Sequence, residues 1–462
     1  MARDEGVGKS SEAEDRPSGA TAPVLRARPS LGFWRSWSLV VGSVVGSGVF
    51  LMPTVLAPYG GVGVVSVVAA GLGGLCIATV FANLSRRVSG SGGPYAYAHA
   101  GFGDFAGFLV AWVYWAALWS AGGAIATAIP GYLGVLFPDI AGRSFIALVV
   151  TLLAVWSSVA INWLGIKEAG IVGLITTLGK LVPLTAVGVA GLFLMDRRIF
   201  PPFNPGAGPP IAALLTSFTI AFFSYVGIES ATVPAEDVVD PRATIPRATI
   251  LGTLTAIGLY VLVTVAAMGA IPTPELAASS APLAMVGERI AGRAGSVVVA
   301  AGALLTIYSA MHYAIMLAGQ IPMVAARDGL FPRVFALQTG RGTPGVALVA
   351  TGVLGTCLII MNSSKSLVGA YTFINLMSTL ATVVPYAFCA AAALLIRSTD
   401  VEPPGARVRS KVIAVIAFGV AFLVIAGAGS DAVYWFTLLL LAGLPVYVGI
   451  RRVSDPVNLR RT

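Results

Sequence analysis

Long apolar segments follow one another along almost the whole chain, and their length restricts the fold more than any other feature. A helix that crosses a membrane needs about 20 apolar residues, and the 462-residue chain contains many such segments between short polar stretches. Only 11% of its residues are charged, whereas soluble domains contain about 25%. We therefore predict an all-α protein that crosses the bilayer many times, since lipid cannot satisfy an open backbone.

We predict twelve membrane-spanning helices. Their approximate bounds are 36–58, 62–85, 104–137, 144–164, 169–195, 211–236, 246–271, 294–326, 346–361, 366–396, 411–429 and 432–450. Residues 1–32 are polar and mixed in charge, which predicts a disordered tail. We expect a transport core over 33–396, helices eleven and twelve over 409–450, and a short tail over 451–462.

The distribution of basic residues predicts the orientation of the chain. Most of the 29 Lys and Arg residues fall on one side of the membrane if the N-terminus is inside, and basic loops favour the cytoplasmic side. We therefore expect both termini in the cytoplasm and the chain in the plasma membrane. The net charge of +9 follows from this topology and does not indicate nucleic acid as a partner.

No cofactor or metal is expected. Cys76, Cys357 and Cys389 lie inside predicted spans without metal-ligand spacing or a disulfide pattern. An enzyme is not expected either, because the chain has only two His residues and its carboxylates are scattered.

The first span contains glycine and serine at its centre. Gly46, Ser47 and Gly48 weaken a helix that lipid would otherwise keep continuous. An interruption here would free backbone N–H groups at the start of the following half-helix, and these groups suit a carboxylate. A helix-packing motif is the alternative interpretation, since Gly42 and Gly46 are four residues apart.

A second weak point lies in the sixth span, where Gly227 is followed by Glu229. A charge at the bilayer centre costs roughly 2.5–3.5 kcal/mol, so it usually faces a cavity or a partner. Glu229 is a candidate for attracting a substrate cation or for carrying a proton. A structural carboxylate bonded to freed N–H groups is the alternative. Carbonyl groups near Phe223 and Val226 would suit an ammonium group.

Spans one to five and spans six to ten follow the same plan. Each set opens with a weakened helix, and each fifth member contains a proline, Pro183 or Pro385. Two copies with an odd number of spans have opposite orientations, which is the inverted repeat of many secondary transporters. We expect repeat one over 33–196, repeat two over 211–396, and a site near the bilayer midplane.

Lys180 lies too deep in the fifth span to reach the surface, so it needs an acceptor such as the carbonyls of an interrupted first span. It could brace spans one and five as a fixed cation or exchange a proton, and both interpretations argue against sodium coupling. His312 is a further titratable candidate, with packing as the alternative. Tyr114 and Phe223 are aromatic residues at membrane depth that could contact a substrate.

Several motifs together resemble the amino acid–polyamine–organocation (APC) transporter family. They occupy 45–53, 92–97, 227–231 and 319–332, and within the family they are closest to bacterial arginine/agmatine-type antiporters. The resemblance covers nearly the whole chain after the tail. It implies a leucine-transporter-like fold with a five-plus-five inverted repeat plus two C-terminal helices. It also implies alternating access without sodium.

The resemblance also implies roles for individual residues. Ser47 and its neighbouring amides would hold a substrate carboxylate, and carbonyls around Phe223 would hold its amine. Glu229 would act as a gating, proton-linked glutamate, and Lys180 would occupy the vacated sodium position. The predicted substrate-binding residues are Ser43, Val45, Gly46, Ser47, Gly48, Tyr114, Phe223, Ser224, Val226 and Ala314. The predicted gating or proton-linked residues are Glu229, Lys180, Tyr114 and Tyr386.

Four positions depart from the arginine/agmatine-type pattern. Ser43 and Gly122 stand where those antiporters have asparagine, and Phe223 and Ala314 stand where they have tryptophan. We expect a secondary transporter of amino acids, including cationic amino acids or their amines, that works by antiport or proton coupling. A neutral amino acid permease or exporter of the same family is an alternative, and so is a ligand-sensing or channel-like protein. A homodimer in the lipid bilayer is compatible with these observations.

Overall fold

The computed structural model describes residues 31–88, 92–138, 143–164, 169–206, 208–396 and 404–454. These ranges are helical, and the β-bridge recorded in them joins Leu31 to Val238. Almost all of the predicted N-terminal tail lies outside the described residues, as does the end of the C-terminal tail.

Sixteen α-helices make up the described part of the chain. They are α1 Phe33–Val44, α2 Ser47–Leu56, α3 Gly60–Arg87, α4 Pro94–Phe102, α5 Asp104–Ala126, α6 Ile129–Leu136, α7 Ser144–Leu164, α8 Ala169–Phe193, α9 Pro210–Phe222, α10 Pro241–Ala270, α11 Thr273–Ala278, α12 Pro282–Arg327, α13 Gly345–Met361, α14 Leu367–Leu395, α15 Pro404–Gly427 and α16 Ser430–Ser454.

Nine helical stretches of the described chain are long and apolar enough to cross a membrane, and Thr177–Phe193 and Gly345–Met361 are shorter apolar helices. Exposed apolar side chains also cover the outermost helices, for example Phe422 on α15 and Leu441 on α16. Such surfaces are stable against lipid and not against water. The chain is therefore an all-helical protein that crosses the membrane several times, as the sequence predicts.

The third predicted span differs in detail from the observed helices, because a turn at Thr127 and Ala128 divides it into α5 and α6. Pro130 lies at the start of α6, where its missing N–H costs nothing. The eighth predicted span agrees with the part of α12 that follows the non-helical residues Ala291 and Gly292. A separate helical segment that begins at Pro282 precedes these two residues.

Close packing holds the interrupted segments inside the bundle. Helix α10 packs against α1, α3 and α8, while α5 packs against both α12 and α14. A Cβ atom at Gly71 of α3 would lie 2.7 Å from Ile257 of α10, so glycine is what permits this close approach. Helix α2 contacts α9, α10 and α12, and it is thereby shielded from lipid.

Candidate functional site

The first predicted span is broken near its middle. Helix α1 ends at Val44 and α2 begins at Ser47, so Val45 and Gly46 form the break. Gly46 has φ −124° and ψ −138°, and a Cβ atom there would lie 2.9 Å from the Cβ of Ala310. A residue without a side chain is therefore needed where the break meets α12.

Side chains from two other helices satisfy the carbonyl groups of this break. Lys180 of α8 donates from Nζ to the carbonyl oxygens of Gly42, at 2.8 Å, and Val45, at 2.9 Å. Tyr260 of α10 donates its hydroxyl to the carbonyl oxygen of Val44, at 2.6 Å. Lys180 is only 5% exposed. These donors supply the hydrogen bonds that the interrupted helix cannot make itself.

The other side of the break presents N–H groups. The first N–H groups of a helix have no acceptor within that helix. In α2 they belong to Ser47, Gly48 and Val49, and no side chain caps the helix at Gly46. They carry the positive end of the α2 dipole, which attracts anions. The side chain of Ser47 lies outside the described residues, so its predicted contact stays a prediction.

The sixth predicted span is broken too. Helix α9 ends at Phe222, a 3-10 turn covers Phe223–Tyr225, and Val226 has the extended angles φ −68° and ψ 136°. Gly227 follows with φ +104°, a conformation that side chains with a Cβ atom rarely adopt. The chain therefore leaves the helix beside the first break.

Glu229 lies directly after this second break and is held by two tyrosines. The hydroxyl of Tyr114 on α5 donates to Glu229 Oε1 at 2.6 Å, and the hydroxyl of Tyr386 on α14 donates to Oε2. The Gly227 N–H donates to the Tyr386 hydroxyl at 3.4 Å. Glu229 is only 1% exposed. The cluster joins two helices to the broken segment around one carboxyl group.

Residues of both broken segments line a cavity of about 50 Å³, which is room for roughly three to five water molecules. The predicted site residues that line it are Ser43, Gly46, Gly48, Phe223, Ser224, Val226, Glu229 and Ala314. Tyr114 and Tyr386 lie behind Glu229, and Lys180 lies behind the first break together with the Val45 carbonyl. The polar groups around the cavity thus include backbone N–H groups and a carboxyl group.

Besides the backbone N–H groups, a side-chain hydroxyl at the cavity wall has an open hydrogen-bonding position. In the described part of the chain, Ser43 Oγ is buried and has no hydrogen-bond partner. By contrast, Ser224 Oγ contacts the sulfur of Met52 at 3.3 Å, and the Phe223 carbonyl accepts from the Val226 N–H at 3.0 Å. Ser43 is therefore the side chain best placed to bond a ligand.

His312 does not belong to this cavity. Its Nδ1 lies 3.2 Å from both Ser158 Oγ and Asn162 Nδ2 of α7. The next residue, Tyr313, lines the cavity instead. The packing interpretation of His312 therefore fits the structure better than a role in the site.

Sequence reasoning missed several contributors. Tyr260 was not identified, although a tyrosine hydroxyl inside a long apolar helix signals a buried partner. Leu118, Ala121 and Ile125 of α5 also line the cavity. Their sequence carries no signal, because apolar residues at that spacing are typical of any buried helix face.

Comparisons with known proteins identify the family of the chain. The family described as amino acid permease matches residues 31–444. A putative arginine/ornithine antiporter of Bacillus subtilis is 33% identical over 453 residues, which cover 91% of this chain and 95% of that protein. An arginine/ornithine antiporter of Pseudomonas aeruginosa is 29% identical over 445 residues, covering 90% and 92%. A putrescine transporter of Haemophilus influenzae is 28% identical over 415 residues, covering 88% and 94%.

The family and these relatives are transporters and not enzymes. The family match extends over nearly all of the helical part of the chain. It agrees with the APC motifs in the sequence and with the arginine-type antiporters to which those motifs are closest. This chain belongs to the amino acid permease family of the APC transporters.

Proposed function

We propose that this protein is a secondary active antiporter that exchanges cationic amino acids, or their amines, by alternating access. The observation that carries the proposal is the cavity between the two breaks, which has free helix N–H groups on one wall and Glu229 on another. An amino acid has a carboxylate and an amine at fixed separation. A buried cavity with opposite polarities on facing walls can therefore orient it.

The carboxylate end of the substrate would bind at the start of α2. Gly46 and Gly48 line the cavity. The Gly46 N–H donates to the Val44 carbonyl, whereas the N–H groups of Ser47, Gly48 and Val49 at the start of α2 have no intrahelical acceptor. The positive dipole end adds attraction for an anion. The Ser43 hydroxyl, which has no partner among the described residues, would donate a further hydrogen bond, and we assign Ser47 to the same end.

The cationic end of the substrate would face Glu229 and the carbonyl of Val226. Among the described lining residues, Glu229 is the charged one. A cavity with a single acidic group favours a positively charged ligand. The names of the relatives support this choice, because arginine, ornithine and putrescine all carry cationic nitrogen. Phe223 and Tyr313 would provide aromatic walls.

We further propose that transport is independent of sodium. The Lys180 ammonium bonds two carbonyl oxygens of the first break, and carbonyls freed by a broken helix are the groups that coordinate sodium in other transporters. A cation already bound there leaves little attraction for another. Lys180 would then serve as a fixed brace, while Glu229, Tyr114 and Tyr386 form the gate.

The proposed architecture has twelve spans, with both termini in the cytoplasm of a plasma membrane protein. The helical stretch Phe33–Arg87 contains two predicted spans, and the two shorter apolar helices complete the count. The breaks open the first and sixth spans, which supports two inverted repeats over 33–196 and 211–396. The two remaining spans, α15 and α16, would lie outside the repeats.

Counter-flow in reconstituted vesicles tests the function. We expect labelled arginine to enter vesicles that contain arginine, ornithine or putrescine, and to enter empty vesicles far more slowly. Glu229→Gln keeps the shape of the side chain but removes its charge, so we expect exchange to fall at least about tenfold, the effect of about 1.4 kcal/mol. Glu288→Gln is the matched control, because Glu288 is exposed at the far end of α12, and it should exchange normally.

Three outcomes would overturn parts of the proposal. Exchange of leucine without exchange of arginine would assign the chain as a neutral amino acid permease. Equal entry into loaded and empty vesicles would indicate a channel-like protein. Normal exchange by Glu229→Gln would remove Glu229 from the site.

A further inference from the structure

A second and larger cavity lies away from the broken spans. It has a volume of about 250 Å³ and is enclosed by the ends of α6, α7, α13 and α14. Neither Glu229 nor the residues of the two breaks line it. The proposed transport cycle does not use this cavity, so its polar groups require another explanation.

One end of this cavity is positively charged. Arg143 and Lys365 both line it, and none of the described residues around it is acidic. In the part of the chain that the structure describes, neither cation forms an ion pair. Lys365 Nζ lies 3.9 Å from the centroid of the Phe373 ring, a contact that holds the ammonium in place. Two cations with no acidic neighbour among the described lining residues favour an anion as the ligand of this cavity.

Two helices begin at the same end of the cavity. Helix α7 starts at Ser144 directly after Arg143, and α14 starts after Ser366, whose side chain caps the helix by accepting from the Gly369 N–H at 3.1 Å. Ser144, Ser363 and Ser366 all line the cavity. The positive ends of two helix dipoles therefore add to the two side-chain charges. Hydroxyl groups and cations together are typical of phosphate recognition.

The remaining walls of the cavity are apolar. Leu148, Ile359 and Leu367 line them. The surface beside the cavity is apolar as well, since Phe145 is 77% exposed and Met361 is 65% exposed. A small soluble anion has no apolar part that could contact such walls, whereas a lipid has a phosphate group joined to acyl chains. Basic pockets between transmembrane helices on the cytoplasmic side bind anionic headgroups in this way, and the same groups are present in this cavity, which lies on the outer side in the predicted topology.

We propose that the cavity between α6, α7, α13 and α14 binds the phosphate headgroup of an anionic phospholipid through Arg143 and Lys365. The phosphate lies between the two cations at the α7 and α14 helix starts. One acyl chain runs along the wall formed by Leu148, Ile359 and Leu367. The lipid thus connects the start of α7 to the start of α14.

Native mass spectrometry of the purified full-length protein tests this proposal. The protein is titrated with phosphatidylglycerol, with phosphatidylcholine, and with glycerol phosphate as the headgroup without acyl chains. We expect one phosphatidylglycerol molecule to bind tightly, and phosphatidylcholine and glycerol phosphate to bind more weakly. The double variant Arg143→Gln/Lys365→Gln should bind phosphatidylglycerol about tenfold more weakly, because each basic residue contributes to the attraction of an anionic lipid.

The control variant is Arg197→Gln, since Arg197 is an exposed cation that does not line the cavity. It should bind phosphatidylglycerol as the wild type does. Wild-type affinity in the double variant would overturn the proposal. Equal binding of glycerol phosphate would assign the cavity to a soluble phosphate compound instead of a lipid. Each variant is also measured for its melting temperature, so that a folding defect is separated from a loss of lipid. These readouts do not depend on transport, so failure here leaves the proposed antiport intact.

Discussion

Lys180 shows how one side chain can complete a broken helix. An isolated cation at membrane depth is costly, and the two carbonyl oxygens of Gly42 and Val45 are equally costly without a donor. Each group is the partner that the other requires. The buried ammonium and the break therefore stabilise each other, and either alone would be unfavourable.

Replacing Lys180 with methionine tests this dependence. The substitution keeps most of the side-chain volume but leaves two buried carbonyl groups without a donor, at about 1–3 kcal/mol each. We expect a lower melting temperature in detergent and a loss of most arginine exchange in vesicles. Wild-type exchange should be unchanged when sodium is replaced by choline.

Lys411→Met provides the control, because Lys411 is exposed on α15. It removes the same charge without removing a buried contact, so its melting temperature should match that of the wild type. Sodium-dependent exchange by the wild-type protein would show that Lys180 does not replace the ion.

The sequence indicated the partners of Lys180 but not those of Tyr260. A lone lysine in an apolar span must have an acceptor, and the glycines of the first span identified where free carbonyls would be. The sequence did not distinguish Tyr260 from other buried tyrosines, such as Tyr225 and Tyr371. Which hydroxyl reaches Val44 depends on how α10 is rotated against α1, and the sequence of α10 alone does not fix that rotation.

At the scale of elements, the two broken segments are in direct contact. A Cβ atom at Gly48 would lie 2.5 Å from Ser224 Oγ, and one at Gly227 would lie 3.0 Å from the Cβ of Ser43. Gly48 of the first broken segment thus packs against Ser224 of the second, and Gly227 of the second packs against Ser43 of the first. The distance between α2 and the 3-10 turn Phe223–Tyr225 is set by the absence of side chains at these points.

Gly48→Ala should force these two elements apart. The added methyl group cannot fit 2.9 Å from the Cβ of Ser224, and overpacking of this kind costs about 1–3 kcal/mol. We expect arginine exchange to fall about tenfold, together with a lower melting temperature. Adding Ser224→Gly removes the obstructing atoms, so the double variant should recover part of both.

Gly258→Ala is the corresponding control on α10, where a Cβ atom would meet nothing within 4 Å. It should exchange arginine at the wild-type rate. If Gly48→Ala did the same, the breaks would not be as close as the structure has them.

Hydropathy predicted most of the helices, but it did not predict all of the breaks within them. Gly46 and Gly227 marked interruptions because glycine is a weak point in a long apolar run. The turn at Thr127 and Ala128 was not predicted, because neither residue type interrupts a helix. Pro130 follows this turn, in the first turn of α6, where proline is common. The non-helical residues Ala291 and Gly292 lie among charged residues, where hydropathy predicted the loop before the eighth span.

At the scale of the whole molecule, we propose that the Glu229 cluster closes one end of the cavity. It ties α5, α14 and the second break together through the hydroxyls of Tyr114 and Tyr386. Cys389 lies one helical turn after Tyr386, and both are fully buried. In the proposed topology this turn leads towards the cytoplasm, so opening of the cavity to that side must separate these contacts and expose Cys389.

Tyr114→Phe should shift the protein towards the open state. It removes one hydrogen bond to Glu229 without leaving a void, which weakens the closed state by about 1 kcal/mol, or roughly fivefold in an equilibrium. We expect Cys389 to react several-fold faster with a thiol reagent in vesicles, as quantified by mass spectrometry of its peptide. Cys357 is exposed on the membrane helix α13 and joins no part of the cluster, so its rate with a membrane-permeant maleimide should stay constant and serve as the internal control. Excess arginine should slow the labelling of Cys389, because we expect a bound substrate to favour the closed state. Equal Cys389 rates in the variant and the wild type would contradict a gate at Glu229, because the hydroxyl would then contribute nothing to holding the cavity shut.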